Sequence, residues 1–164
     1  MPERKTIQRA HRDAARGKSP STQAGEFVRE EIDHIREGKH GARSTKQAIA
    51  IGLSKARRSG VKLGASKTSS ARTRTQAKRD IAKGKRRNRK TSRTRSRAVE
   101  GALRREGSRA ATRKSLSRQA RASARRRSAS ARSASARQAA RTKGARGRSA
   151  AAKKAARTRA RHAR

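Results

Sequence analysis

Beyond Leu63 the chain is almost without large apolar residues, and this feature limits its possible folds more than any other. Only Ile81, Val99, Leu103 and Leu116 interrupt a sequence that consists mainly of Ala, Arg, Lys, Ser and Thr. So little apolar surface cannot offset the entropy that is lost when the backbone is ordered. The sequence therefore predicts no hydrophobic core beyond residue 63.

The charge density changes at the same point. Residues 1–62 contain 15 basic and 7 acidic residues, whereas residues 63–164 contain 36 basic and 3 acidic residues. We therefore divide the chain into a head, residues 1–62, and a tail, residues 63–164. The predicted fold class is mainly α: a small helical head followed by a long basic tail that is disordered, or helical only on binding.

The best delimited helix of the head runs from Thr45 to about residue 58. Ser44 and Gln47 have the spacing of a capping box, in which each side chain bonds the backbone amide of the other residue. Ile49 and Leu53 follow at helical spacing and make one face apolar. Gly60 can adopt the positive φ that ends a helix in a Schellman motif.

A second helix is predicted from Pro20 to about residue 37, and a further one over residues 3–16. A short connector after Gly38 should turn the helix over 45–58 back against the second helix as an αα-hairpin. Leu53 is then expected to face Val28, Ile32 and Ile35 of the second helix. The predicted core consists of Val28, Ile32, Ile35, Ile49 and Leu53. Because so small a core is marginal for a monomer, we expect a homodimer through the head.

The second helix also contains a cluster of five acidic residues, which we expect to face the basic helix over 45–58. These residues are Glu26, Glu30, Glu31, Asp33 and Glu37. Glu30 and His34 share a helix face, with His40 nearby, as in some metal sites. A helix rich in acids beside a basic helix produces the same pattern by default. The sequence therefore predicts no catalytic residue, no metal and no cofactor.

The net charge of +41 predicts a polyanionic partner, and we expect nucleic acid, with DNA favoured over RNA. Phosphate contacts are expected at the end of the helix over 45–58, in the basic run over 83–90, in an arginine triplet and in a lysine pair near the C-terminus. The residues are Lys55, Arg57, Arg58, Lys62, Lys83, Lys85, Arg86, Arg87, Arg89, Lys90, Arg125, Arg126, Arg127, Lys153 and Lys154. Base stacking is not expected, because Phe27 is the one aromatic residue of that kind and the core should contain it.

Two local features are predicted within the tail. A short helix over 97–106 should contain an i,i+4 ion pair between Glu100 and Arg104. The segment 149–161 is the part most expected to become helical once phosphates neutralise its charges. The sequence contains no transmembrane run, and its start lacks the apolar region of a signal peptide. We therefore expect a cytoplasmic protein, located at the nucleoid, with no membrane partner.

Residues 19–63, and above all the segment KHGARSTKQAIAIGLSKAR, resemble a bacterial domain family of unknown function that occurs in small, very basic proteins. Some members carry the label DNA-binding or plasmid-stabilising, so the resemblance implies binding of DNA and no catalytic residue. In composition the tail is similar to the tails of linker histones and of bacterial histone-like proteins, although it uses Arg more than Lys.

The function expected from the sequence is non-sequence-specific nucleic-acid binding that coats and compacts DNA, as a histone-like nucleoid protein does. One alternative is an RNA-binding or ribosome-associated protein, because the same charge would serve RNA equally well. The other is a head that recruits a protein partner while the basic arm localises it. The sequence leaves these alternatives open.

Overall fold

A computed structural model describes residues 2–66, 68–85 and 92–162. Within this part the chain is almost entirely helical, which confirms the mainly α class. The helices are α1 Arg4–Ala15, α2 Pro20–Arg36, α3 Thr45–Arg58, α4 Ala71–Lys85, α5 Arg93–Arg104, α6 Arg113–Arg125 and α7 Ala129–His162, with a 3₁₀ turn at Ser108–Ala111.

The ends of α3 follow the predicted signals with one difference. Ser44 Oγ accepts a hydrogen bond from the Gln47 amide at 3.2 Å, but the Gln47 side chain accepts from the Arg43 amide at 2.9 Å and not from that of Ser44. At the other end Gly60 has φ of +97°, and the Val61 amide donates to the Ala56 carbonyl at 3.1 Å. The Schellman ending is thus confirmed.

Helix α2 lies between α1 and α3, and apolar side chains pack on both of its sides. Two clusters of side chains form the core of the first 119 residues. One contains Ile32, Ile35, Ala42, Ala48, Ala110 and Ala111, with Val28 and Leu116 against it. The other contains Ala10, Ala24, Phe27, Ala56 and Val61, with Ile7, Leu53 and Leu63 against it. Leu53 therefore packs against the cluster around Phe27, not against Ile32 and Ile35 as expected. Of the predicted core, Ile32 and Ile35 are buried, whereas Val28, Ile49 and Leu53 are only half-buried.

The absence of a side chain at Gly52 brings α2 and α3 close together. A Cβ atom at this position would lie 2.7 Å from Val28 Cα and 3.0 Å from the Phe27 carbonyl oxygen. Such a distance to main-chain atoms is not tolerated, because the backbone cannot rotate away as a flexible side chain does. The αα-hairpin therefore depends on glycine at this crossing.

The prediction of a disordered tail is wrong, because α4 and the 3₁₀ turn pack against the head. Ala77 of α4 and Ala110 and Ala111 of the 3₁₀ turn are buried, although each is small. Asp80 is 1% exposed, and it accepts hydrogen bonds from Ser54 Oγ at 2.8 Å and Arg58 Nε at 3.0 Å. Close packing of small residues and hydrogen bonds to polar groups replace the large apolar side chains that the segment lacks.

Main-chain hydrogen bonds also join the loop before α3 to the end of α5. The Gly41 amide donates to the Leu103 carbonyl at 2.9 Å, and the Ala42 amide donates to the Gly107 carbonyl at 3.1 Å. A Cβ atom at Gly41 would lie 1.8 Å from the Glu106 carbonyl oxygen. Nearby, Thr45 Oγ1 donates to the Ala110 carbonyl at 2.7 Å. Residues after 63 thus contribute to the same folded body as the head.

The chain forms two compact units, Met1–Gln119 and Ala120–Arg164. The second unit begins within α6 and contains α7, which has a non-helical residue, Gly144, with φ of 66° and ψ of 175°. Helix α7 has 34 residues, 13 of them Ala, which is the best helix former. Ser128 caps it by accepting from the Ala131 amide at 3.1 Å. The expectation that this segment is helical only when bound is therefore wrong, since its intrinsic propensity and cap favour a helix without phosphates.

Candidate nucleic-acid interface

Helix α3 ends in three cations that were expected to contact phosphates, and all three have partners within the protein. Lys55 Nζ lies 2.5 Å from Glu31 Oε2 and 3.6 Å from Glu30 Oε1. Arg57 Nε donates to the Leu63 carbonyl at 2.8 Å, and the Arg58 pair with Asp80 was described above. Of the five acidic residues expected to face α3, Glu30 and Glu31 do so at Lys55, whereas Glu26 pairs with Arg9 of α1. These cations hold the first unit together.

Other predicted contacts of the first unit lie closer to the surface. Lys62 and Lys85 are exposed, whereas Lys83 is half-buried near the end of α4. Arg86, Arg87, Arg89 and Lys90 lie outside the described residues. The i,i+4 pair between Glu100 and Arg104 of α5 is confirmed, with 2.7 Å between Glu100 Oε1 and Arg104 Nη2.

The acidic residues of the first unit are mostly neutralised by its own cations. All ten acids of the chain precede residue 120, and within the described residues nine of them lie within 4 Å of a basic side chain. A hydrogen bond from His34, together with the charge of Lys39, holds the pKa of the Glu3 carboxyl below its ordinary value. The Glu37 carboxylate in turn raises the pKa of Lys39 by a hydrogen bond.

The second unit has a different charge balance, because residues 120–164 contain 16 basic residues and no acidic residue. Arg125, Arg126, Arg127, Lys153 and Lys154 are all exposed. None of the described residues of α7 is buried, so its 11 Lys and Arg side chains lie at or near the surface. This surface is therefore positive throughout.

Several arginines within α7 and just before it donate hydrogen bonds to main-chain carbonyl groups. Arg127 donates to the Ala131 carbonyl at 3.2 Å and also to Ser135 Oγ. Arg132 Nη1 donates to the Arg127 carbonyl at 2.8 Å, and Arg148 Nη1 donates to the Ala140 carbonyl at 3.1 Å. Because a guanidinium has five N–H donors, each of these groups keeps donors for a phosphate.

Residues 4–67 match the model of a family of unknown function (DUF6496). The match includes residues 19–63, which carry the resemblance stated above. It confirms that these residues resemble a family of unknown function. It covers α1 to α3 and ends before α4, so the basic second unit lies outside it. No curated protein and no solved structure matches the chain.

The carboxylate that lies beside His34 and His40 is that of Glu31 and not that of Glu30. Glu30 Oε2 accepts a hydrogen bond from the Glu3 amide at 3.1 Å, whereas Glu31 lies with His34 and His40. The reason is the rotation of α2: Glu31 follows the buried Ala24 and Phe27 at helical spacing and precedes the buried Ile35, so it points into the protein. The signal in the sequence that could have indicated a buried Glu31 is its helical spacing with apolar residues.

None of the helices in the described ranges combines the length and the apolar character that a bilayer-spanning segment needs.

Proposed function

We propose that the protein binds nucleic acid without sequence specificity and that it coats and compacts DNA at the nucleoid. The observation that supports this most strongly is the composition of residues 120–164, with 16 cations, no acid and an exposed helix. A solvated surface without a partner normally mixes both signs of charge. An exposed segment that contains cations and no acid instead suits a polyanion.

Binding would be driven by release of counterions from the phosphates. Duplex DNA carries one charge per about 1.7 Å of axis, so 16 cations match the phosphates along about 27 Å, or about eight base pairs. Such contacts position a protein on the duplex but carry no sequence information. Phe27 is 1% exposed, so no Phe, Tyr or Trp ring of the described residues is offered to unstacked bases.

The first unit contains 35 basic and 10 acidic residues, and seven of its described Lys and Arg side chains pair with acids, so it would contribute geometry as well as charge. Compaction requires that one particle contacts two duplex segments, and a homodimer through the head would supply this. Dimer formation stays a prediction, and sedimentation of the nucleic-acid-free protein tests it.

The proposal is tested by charge neutralisation within the full chain. One variant replaces six cations of α7 by Gln, and a matched variant replaces six exposed cations of α5 and α6 in the first unit. The first set is Arg146, Arg148, Lys153, Lys154, Arg157 and Arg159. The second set is Arg93, Arg95, Arg97, Arg113, Lys114 and Arg118. Affinity for a 30-base-pair duplex is measured by anisotropy at several salt concentrations.

We expect about ten effective phosphate contacts in the unmodified protein, and therefore a loss of affinity of about 10⁵-fold between 50 and 200 mM salt. Neutralising six cations of α7 should lower the slope of log K against log salt by about five, and the matched variant should lower it by less than two. Equal effects would contradict the assignment to α7. A slope near zero in the unmodified protein would contradict nucleic-acid binding by charge.

Duplex RNA of the same length distinguishes the DNA proposal from the RNA alternative. DNA binding at least as tight as RNA binding, together with condensation of long DNA, agrees with the proposal. Binding of RNA more than tenfold tighter would instead support a ribosome-associated role.

A further inference from the structure

Three potential metal ligands meet at the end of α2. Glu31, His34 and His40 each offer one ligand atom, and these atoms lie within 4.8 Å of one another. Glu31 Oε1 and His40 Nε2 are 3.3 Å apart, and the two imidazole rings are edge to face at 6.1 Å. In a tetrahedral zinc site with bonds of about 2.0–2.1 Å, neighbouring ligand atoms are about 3.3 Å apart. The pair already has this spacing.

The local backbone holds the three residues in place. Glu31 and His34 are one helical turn apart on α2. The helix ends at Arg36, and Gly38, two residues later, has φ of 72°. The Lys39 amide donates to the His34 carbonyl at 3.0 Å, which turns the chain and returns His40 to the last turn of α2. The hydrogen bond from the Gly41 amide to the Leu103 carbonyl then holds the residue that follows His40.

The hydrogen bond between the His40 ring and the backbone determines the tautomer of the ring, and therefore whether the nitrogen that faces Glu31 carries a proton. His40 Nδ1 lies 3.1 Å from the Gly41 carbonyl oxygen, which can only accept, so Nδ1 carries a proton. In the neutral ring Nε2 then has a bare lone pair, and it faces Glu31 Oε1. Two acceptors at 3.3 Å repel unless a proton or a metal cation lies between them. Metal-binding histidines commonly donate their other N–H to a backbone carbonyl or a carboxylate in this way.

Burial of Glu31 provides a second, independent observation. The residue is 0% exposed, and neither of its carboxylate oxygens has a hydrogen bond from a described residue. Lys55 Nζ lies 2.5 Å from Oε2, so this ammonium compensates one side of the carboxylate. Oε1 is left with His40 Nε2 alone. A buried carboxylate oxygen without a donor is costly, and a cation at this point would remove that cost.

We propose that Glu31, His34 and His40 bind one zinc ion. Two imidazoles and one carboxylate suit zinc, whereas Mg²⁺ and Ca²⁺ prefer sites made of oxygen atoms. Lys55 stays on Oε2, so Glu31 binds the ion through Oε1. Glu3, whose Oε1 lies 3.0 Å from His34 Nε2, orients that ring as carboxylates behind metal-binding histidines do. The ion would fix the loop after α2, and with it the contact of Gly41 with the end of α5.

The test uses the full-length chain, freed of nucleic acid and of metal, and zinc chloride as the probe in calorimetric titration at pH 7.5. We expect one equivalent of zinc to bind, and no binding of Mg²⁺ or Ca²⁺. His34→Gln and His40→Gln should each weaken zinc binding at least tenfold. The other two histidines of the chain, His11 and His162, are exposed and offer the matched control: the double variant His11→Gln, His162→Gln should bind zinc as the unmodified protein does.

Circular dichroism shows whether each variant keeps its helix content. If a histidine variant loses helix content, the Glu31→Gln variant is used in its place, because this substitution keeps the shape of the side chain and removes the charge of the ligand. Folded Glu31→Gln protein that binds zinc as tightly as the unmodified chain would overturn the proposal. The absence of saturable zinc binding would also overturn it, and so would an equal loss of zinc affinity in the control double variant.

Discussion

Replacing Asp80 tests whether α4 is part of the folded first unit. Asp80 is the one acidic residue between residues 63 and 99, and it accepts hydrogen bonds from Ser54, Arg58 and Gln76 at 2.8, 3.0 and 3.2 Å. Two of these donors belong to α3 and one to α4 itself. Asp80→Ala would therefore remove every polar contact of this side chain with α3.

The expected cost follows from the exposure of the partners. A hydrogen bond to a charged group contributes about 1.5–3 kcal/mol, and loss of one partner of a buried ion pair costs about 3–5 kcal/mol. The Arg58 side chain is 51% exposed, so water can solvate it after the substitution, and the cost should lie at the lower end. We expect about 3 kcal/mol. Asp80→Asn keeps an acceptor for Arg58 and a donor for Ser54, and it should cost about 1 kcal/mol.

Hydrogen exchange with mass spectrometry measures this effect locally in the full chain. Amides of α4 should be protected in the unmodified protein, and Asp80→Ala should accelerate their exchange about 100-fold, which corresponds to about 3 kcal/mol. Glu100→Ala is the matched control, because its pair with Arg104 lies on exposed side chains and should change exchange less than threefold. Unprotected α4 amides in the unmodified chain, or equal effects of both substitutions, would refute the packing of α4 on α3.

Three further outcomes are expected from apolar and glycine substitutions in the full chain. Gly52→Ala should destabilise the first unit by about 1–3 kcal/mol in urea unfolding, because the new Cβ would meet Val28 Cα at 2.7 Å. Gly101→Ala, in α5 where no described atom lies within 4 Å of the new Cβ, should instead stabilise the first unit by up to about 1 kcal/mol. A change of the unfolding free energy in the same direction for both variants would contradict the close crossing of α2 and α3. Leu53→Asp should cost about 2–3 kcal/mol or more by loss of burial, whereas Val99→Asp, at a side chain that is 54% exposed, should cost less than about 0.5 kcal/mol. Both Asp variants should still bind DNA at low salt, and loss of binding by folded Leu53→Asp protein would make α3 a direct reader of DNA.

The sequence predicted the hairpin of α2 and α3 because its signals are local. Ser44, Gln47 and Gly60 specify the ends of α3 through bonds within a few residues, and the structure has these ends. The prediction of which side of α2 is buried was less accurate. The buried side of α2 includes Glu31. A prediction that looks only for apolar residues does not place a carboxylate in the core.

The packing of α4 and the 3₁₀ turn was not predicted, because small residues and main-chain groups make these contacts. Ala77, Ala110 and Ala111 have no periodicity that distinguishes them from exposed alanines nearby. The bonds of Gly41 and Ala42 use only backbone atoms, which every residue has. One signal was present: Asp80 is a single acid in a strongly basic segment, and an isolated charge of opposite sign indicates a specific partner.

The alanine-rich core has a calorimetric consequence. Apolar surface exposed on unfolding raises the heat capacity, and polar surface lowers it. A core in which Phe27, Ile32, Ile35 and Val61 are the only large buried apolar side chains among the described residues exposes little apolar surface when it unfolds. The heat-capacity increment of unfolding should therefore fall below the ordinary value of about 12–15 cal/mol/K per residue. A smaller increment flattens the dependence of the unfolding free energy on temperature, so the first unit should resist cold denaturation.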